Sequence, residues 1–354
     1  MTAVVWQLDK CHGGGKLFRS VRTRSAVFMK LIVPLLIALV SITTLAQDQQ
    51  ARLDALRAEG YEALYNLDYE TARNRFQKMI ELAPDSPAGP QCMASSLWVQ
   101  QLNQSWELKA TLYSTSAYTD SKSPVDRKQA DEFHKLIRRA KLLSQARLQK
   151  DPHDVEALYF LGAAEGLEAS YAAGVERKFM AAFRAGSDSV DHHCEVLKLA
   201  PDFHDAELTI GLMNYIVGSL PLPTKMLVAT MGVRGSKKRG LETLERVATE
   251  GKWGRDVARV LLIDLYKREK RWEDAERTAR ELAAKYPRNY LFKLQAADAL
   301  ASQILELRKA KKPASAQEKE LQEMFASLLH DKSFDAATRE LVNVRWNIAR
   351  KELQ

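Results

Sequence analysis

Three cysteines in 354 residues are too few for a disulfide-dense scaffold or a four-cysteine zinc module. Sixteen glycines and eleven prolines are too sparse for a collagen-like or low-complexity chain. Apolar and polar residues nowhere alternate with period two for long enough to predict a strand. No His-Glu-x-x-His, Cys-x-x-Cys, Gly-x-Ser-x-Gly, P-loop or dinucleotide-binding fingerprint occurs. Gly232-Val233-Arg234-Gly235 is too short for a phosphate loop and follows no predicted strand.

What is present is the balance of a folded chain, 46% hydrophobic and 28% charged. The net charge of +8 first suggests a nucleic-acid or membrane partner. Residues 1–46 hold six Lys or Arg and one Asp, so +5 sits there and +3 remains for residues 47–354. The remainder is close to neutral for its size and gives no reason to invoke nucleic acid.

Residues 31–40, LIVPLLIALV, follow Lys30 and end in Thr44-Leu45-Ala46. Basic residues, a short apolar run and small residues at −3 and −1 form the pattern of a secretory signal cleaved before Gln47. The stretch from Leu31 to Ala46 is 16 residues, against ~20 for a comfortable membrane span. Residues 29–46 are therefore predicted to be a signal peptide, with a retained N-terminal anchor as the alternative. Residues 1–28 carry no periodic apolar pattern. They read as a disordered leader, or translation begins at Met29. The protein is expected to be exported, to the periplasm or another extracytoplasmic space.

After residue 46 nearly every stretch places apolar residues at i, i+3, i+4 and i+7, the period of helices with one buried face. Gly60, Ala72, Phe76 and Pro84 lie at spacings of 12, 4 and 8. A small residue at Gly60 lets one helix approach the next, Ala72 sits where the two cross, Phe76 fills the gap, and Pro84 ends the second helix. Pro152 follows Pro84 by 68 residues and Gly162 follows Gly60 by 102, two and three periods of 34. Gly211 lies ten residues after Pro201, as Gly162 does after Pro152. Tyr266, Ala275 and Pro287 fit a later copy, in which Ile263 takes the glycine position and Ala279 the aromatic one. These residues resemble the motif of the tetratricopeptide repeat family. The resemblance implies an all-α fold, an α-solenoid of helix pairs wound as a right-handed superhelix, over residues 47–312. It also implies a role in binding protein partners, with no catalytic activity and no cofactor.

The period breaks twice, around Ala185–Val190 and across Gly218–Lys238, where insertions are expected as loops on one face. Residues 313–354 are predicted to add capping helices over 317–329 and 335–353.

Asp191-His192-His193-Cys194-Glu195 is the densest set of metal-ligand types. Neighbours on a helix face different ways, so a metal site would need distant partners such as Glu165 or His204. A helical enzyme using Asp191, His192, His193 and Glu165 is the alternative to a binding module. Cys92 and Cys194, three periods apart, are expected to be free buried thiols. Trp98, Trp106, Tyr113 and Tyr118 cluster in the second unit and are either partner-binding or packed between helices. The apolar insert 218–235, with no acidic residue and a basic tail through Arg239, is either a buried plug or a surface that touches a membrane or partner. Membrane association through this insert or the N-terminus is the second alternative.

Overall fold

The computed structural model describes residues 47–104, 126–230 and 232–354. The expected leader (1–28) and signal (29–46), and Trp106, Tyr113 and Tyr118, lie outside the described residues. The chain divides after Asp54 into two units. Of the first, residues 47–54 are described and are helical.

The second unit, residues 55–354, is all-helical among the described residues, with no strand. It opens with α1, residues 55–65. There follow α2 (Tyr69–Leu82), α3 (Ala88–Gln104), α4 (Arg127–Leu148), α5 (Val155–Gly174) and α6 (Phe179–Leu199). A 3₁₀ turn at His204–Ala206 leads into α7 (Glu207–Ser219), α8 (Leu222–Thr230) and α9 (Lys237–Glu250). The unit ends with α10 (Arg255–Arg268), α11 (Trp272–Lys285), α12 (Tyr290–Lys309), α13 (Ser315–Leu329) and α14 (Ala336–Leu353). From α2 onward each helix packs on the next along the chain, except that α9 takes the place of α8 against α7.

Local chemistry sets the helix boundaries. Carboxylate or amide side chains cap the starts of α2, α5, α12 and α14, where Asp68, Asp154, Asn289 and Asp335 accept backbone N–H bonds from the first turn. Helices α1, α5, α10 and α12 are each followed by a residue in the left-handed region, Leu67, Arg177, Lys270 and Lys311, with φ between 56° and 64°. After three of them the next amide reaches back five residues: Asp68 to Ala63, Arg271 to Tyr266 and Lys312 to Leu307. This is the bond that closes a helix end and reverses the chain into the next helix.

The residues of the 34-residue spacing lie at helix contacts and helix ends. Ala72 and Phe76 are fully buried, and Gly60 approaches so closely that an added Cβ would stand 2.4 Å from the Phe76 ring. Gly162 meets His193 in the same manner, at 2.6 Å, and Gly211 meets Leu244 at 3.1 Å. Tyr266, Ala275 and Ala279 are buried, while Pro84 and Pro287 are exposed just beyond the ends of α2 and α11.

Both period breaks differ from simple loops. Residues 185–190 lie inside α6; the added length is in α5 and α6 themselves, 20 and 21 residues against 14 in α2. The 218–238 segment contains a helix, α8, in which no residue is buried. Gly218 sits so close to the backbone at Ser236 and Lys237 that a Cβ there would come within 2.4 Å of an amide nitrogen. That approach lets α7 and α9 pack directly while the insert projects.

The last three helices share a core around Leu300, Ile304, Leu321, Phe325 and Val342. The first hairpin also meets the penultimate one. Tyr65 packs on Ile263, Leu282, Tyr286 and Phe292, with its ring 5.0 Å from that of Tyr286. The row of hairpins thus returns on itself around an interior.

Candidate ligand cavity

The interior is lined by one face of each of α1, α3, α5, α7, α10 and α12. Gly254 at the cap of α10 and Val257, Val260, Leu261, Ile263 and Asp264 along it line the cavity, all but Ile263 on the stripe a helix makes at spacings of three and four. On α1 they are Arg57, Tyr61, Leu64 and Tyr65. Trp98 and Leu102 of α3, Leu208 and Leu212 of α7 and Phe292 of α12 add to a largely apolar wall. The cavity is partly open to solvent and has a volume of about 240 Å³. Engineered apolar cavities of about 150 Å³ remain dry and accept benzene.

Arg57 is the one Arg or Lys among the lining residues described. It is 7% exposed, and its guanidinium stands 4.3 Å from the Trp253 ring and 5.2 Å from the Phe160 ring. Among the described residues it makes no ion pair with a carboxylate; the Tyr159 hydroxyl and the Cys92 thiol lie in hydrogen-bonding reach of the guanidinium, and its Nε has no partner. The side chain stays charged at any pH a folded protein meets. Stacking between aromatic faces recovers part of the lost hydration, and a buried cation without a counter-charge remains. The nearby Asp205 carboxylate is engaged elsewhere. It accepts the Trp253 amide at 3.0 Å and the Gly254 amide at 2.9 Å, at the start of α10.

The other end of α10 carries Asp264, ten residues past Gly254 and so about 15 Å further along the helix. Asp264 is buried and its Oδ1 has no partner. Burial raises its carboxyl to about 6, Asp298 adding and Lys267 opposing. Asn103 Oδ1 and His193 Nδ1 are also buried and unpartnered. His193 directs Nε2 to the Tyr159 carbonyl at 3.2 Å, and burial lowers the ring to about 4, so it is neutral. Four of the unpartnered buried polar atoms described thus belong to residues lining one cavity. Buried polar groups in folded proteins are nearly always satisfied, so these four atoms call for partners that the described side chains do not supply, water or a ligand.

Trp98 is 8% exposed, lies 5.8 Å from Tyr171 and lines the cavity, so it both packs between helices and faces the interior. His192 and His193 diverge. His192 Nδ1 meets Glu165 Oε2 at 2.8 Å, which raises its pKa, whereas His193 stacks on Tyr159. Glu165 also has Lys141 beside it at 3.9 Å. Among the described residues no three His, Cys, Asp or Glu side chains could hold one metal ion. Cys92 is buried, Cys194 is half-buried, and both are free thiols. Their expected burial therefore holds for Cys92 alone. No described helix is long and apolar enough to cross a membrane.

Comparison with protein-family models and with curated proteins finds no match for this chain. The site therefore rests on its own geometry. Sequence reasoning passed over Arg57, Asp205, Trp253 and Asp264. For Arg57 a signal was available: it takes one position of the stripe 57, 61, 64 on a helix whose other members there are Tyr61 and Leu64.

Proposed function

We propose that this chain is an exported, non-enzymatic binding protein. Its hairpins form an α-solenoid of tetratricopeptide-like repeats, a right-handed superhelix, and its inner faces bind a small ligand in place of an extended protein segment. The observation that carries this reading is the interior cavity of about 240 Å³ whose lining includes four unpartnered buried polar atoms. Support for the repeat comes from the close contacts Gly60–Phe76, Gly162–His193 and Gly211–Leu244. Support for export comes from Lys30 and the apolar run ahead of Ala46. A saturable, single-site titration with a neutral apolar fluorophore tests the cavity. Binding lost on filling the space with Val260→Trp, in a variant that keeps its helical circular dichroism, agrees with it. Absence of saturable binding to the parent protein removes it.

A second reading concerns the outer surface. In α8, Leu222, Met226 and Leu227 are 71%, 64% and 64% exposed. With Lys237, Lys238 and Arg239 following, this favours contact with an anionic membrane or with a protein partner at α8. Co-sedimentation with anionic vesicles tests the membrane form. A protein partner held at α8 would be captured by the parent chain and not by a triple Leu222→Ser, Met226→Ser, Leu227→Ser variant.

A further inference from the structure

We propose that the ligand of the interior cavity is an amphipathic organic monoanion, an apolar-chain carboxylate whose acid group seats on Arg57 and whose chain runs along α10 toward Asp264. The inference rests on the binding-cavity reading above and names its ligand class.

Charge selects the head group. Arg57 is the single cation lining the described cavity, it is 7% exposed, and its Nε lacks a partner. A carboxylate is the group that a guanidinium pairs with most strongly, through two parallel charge-assisted bonds. Asp205, the acid nearest this end along α10, already accepts two backbone amides. Its charge is met by the start of α10 and does not replace a ligand at Arg57.

The walls select the body. Val257, Val260 and Leu261 form the middle of the α10 stripe, with Leu208, Leu212 and Leu291 from neighbouring helices. These offer no hydrogen bonds and favour a hydrocarbon chain. A cavity of about 240 Å³, against about 150 Å³ for one that takes benzene, accommodates roughly ten non-hydrogen atoms. Octanoate has that size.

The far end sets the number of acids. Asp264 lies about 15 Å along α10 from Gly254 and is itself an acid. A second carboxylate reaching toward it approaches a like charge that Lys267 and Arg268 offset only in part, the Asp264 Oδ1 having no partner, so a diacid is disfavoured.

Isothermal titration of the full chain at neutral pH compares octanoate, 1-octanol and octanedioate. A charged hydrogen bond is worth about 1.5–3 kcal/mol, so octanoate is expected to bind about 10- to 100-fold more tightly than 1-octanol. Octanedioate is expected to bind at least about ten-fold more weakly than octanoate. Arg57→Met should remove the preference for octanoate over 1-octanol. Equal binding of octanoate and 1-octanol overturns the proposal, and so does octanedioate binding as well as octanoate. These comparisons use the parent protein and stand even if Arg57→Met does not fold. Binding of 1-octanol without preference for octanoate leaves the cavity reading intact and removes only the anion. Failure of all three ligands, together with the neutral fluorophore, removes both.

Discussion

Asn289 donates its side-chain amide to the backbone carbonyl of Tyr65 at 2.7 Å, joining residues 224 positions apart. The same side chain accepts the Leu291 amide at 3.0 Å and so also caps α12. One residue, 4% exposed, therefore starts a helix and fastens the first hairpin to the penultimate one. Around it the Arg288 amide meets Asn66 Oδ1 at 3.2 Å, and the Tyr65 and Tyr286 rings pack together. Tyr65 and Asn289 both line the cavity, so this junction forms part of its wall.

Asn289→Ser separates the two roles. Serine retains a capping oxygen but cannot reach the Tyr65 carbonyl as the amide does. We expect a loss of about 1 kcal/mol, read by urea denaturation, and faster amide exchange at Leu67 and Asp68. Unchanged exchange there, with unchanged stability, would show that the junction is held by the aromatic packing alone.

Gly162→Ala tests the tightest contact of the third hairpin. The new Cβ would stand 2.6 Å from His193 Cδ2, and His193 is held by stacking on Tyr159 and by the Tyr159 carbonyl. Moving the ring away gives up both of these contacts, so about 1–3 kcal/mol of stability should be lost. A thermal melt checks it, and a melting temperature equal to that of the parent would mean that α5 and α6 separate without strain.

Lys270 sits at φ 58° after α10 and is exposed. A residue with a Cβ is strained there, whereas glycine adopts this conformation freely. Lys270→Gly is expected to stabilise the protein by about 0.5–1 kcal/mol, offset slightly by the entropy of glycine in the unfolded chain. A loss of stability in chemical denaturation would show that the Lys270 side chain makes a compensating contact.

Much of the helical pattern was legible because it is local. Gly60, Phe76 and Pro84 state how two adjacent helices meet and where the second stops, and those contacts are made within a few tens of residues. The closure between Tyr65 and Asn289 was not legible, because no periodicity relates two residues 224 positions apart. The polar ends of the cavity were hidden for a related reason. Arg57 and Asp264 look like ordinary helix-surface residues until six faces converge on them. The His192–His193 pair could be judged in part, since adjacent residues on a helix diverge, and the structure turns one to Glu165 and the other to Tyr159. The α8 segment was left between buried and exposed by its composition, and its location beyond the α7–α9 contact decides for exposure.

Asp264 and His193 give opposite pH dependences within one cavity. Burial raises the Asp264 carboxyl from 3.8 to about 6, so the folded chain binds this proton more tightly than the unfolded chain. Its stabilising contribution is complete below the unfolded value and is lost as pH rises through about 6, on the order of 3 kcal/mol in all. Burial lowers His193 from 6.5 to about 4, with His192 adding and the Tyr159 carbonyl opposing. Its contribution is complete above pH 6.5 and is lost as pH falls toward 4, again on the order of 3 kcal/mol. Between pH 4 and 6 the two slopes offset each other in the parent. Asp264→Asn should therefore gain stability relative to the parent as pH rises from 4 to 8, Lys267 keeping Asp298 as a charge partner. His193→Gln should lose stability relative to the parent over the same rise. Urea denaturation of the three proteins across this range checks both signs. Parallel curves for parent and Asp264→Asn would mean that a bound water or ion already meets the Asp264 carboxylate, and the far end of the cavity would then be polar in use as well as in composition.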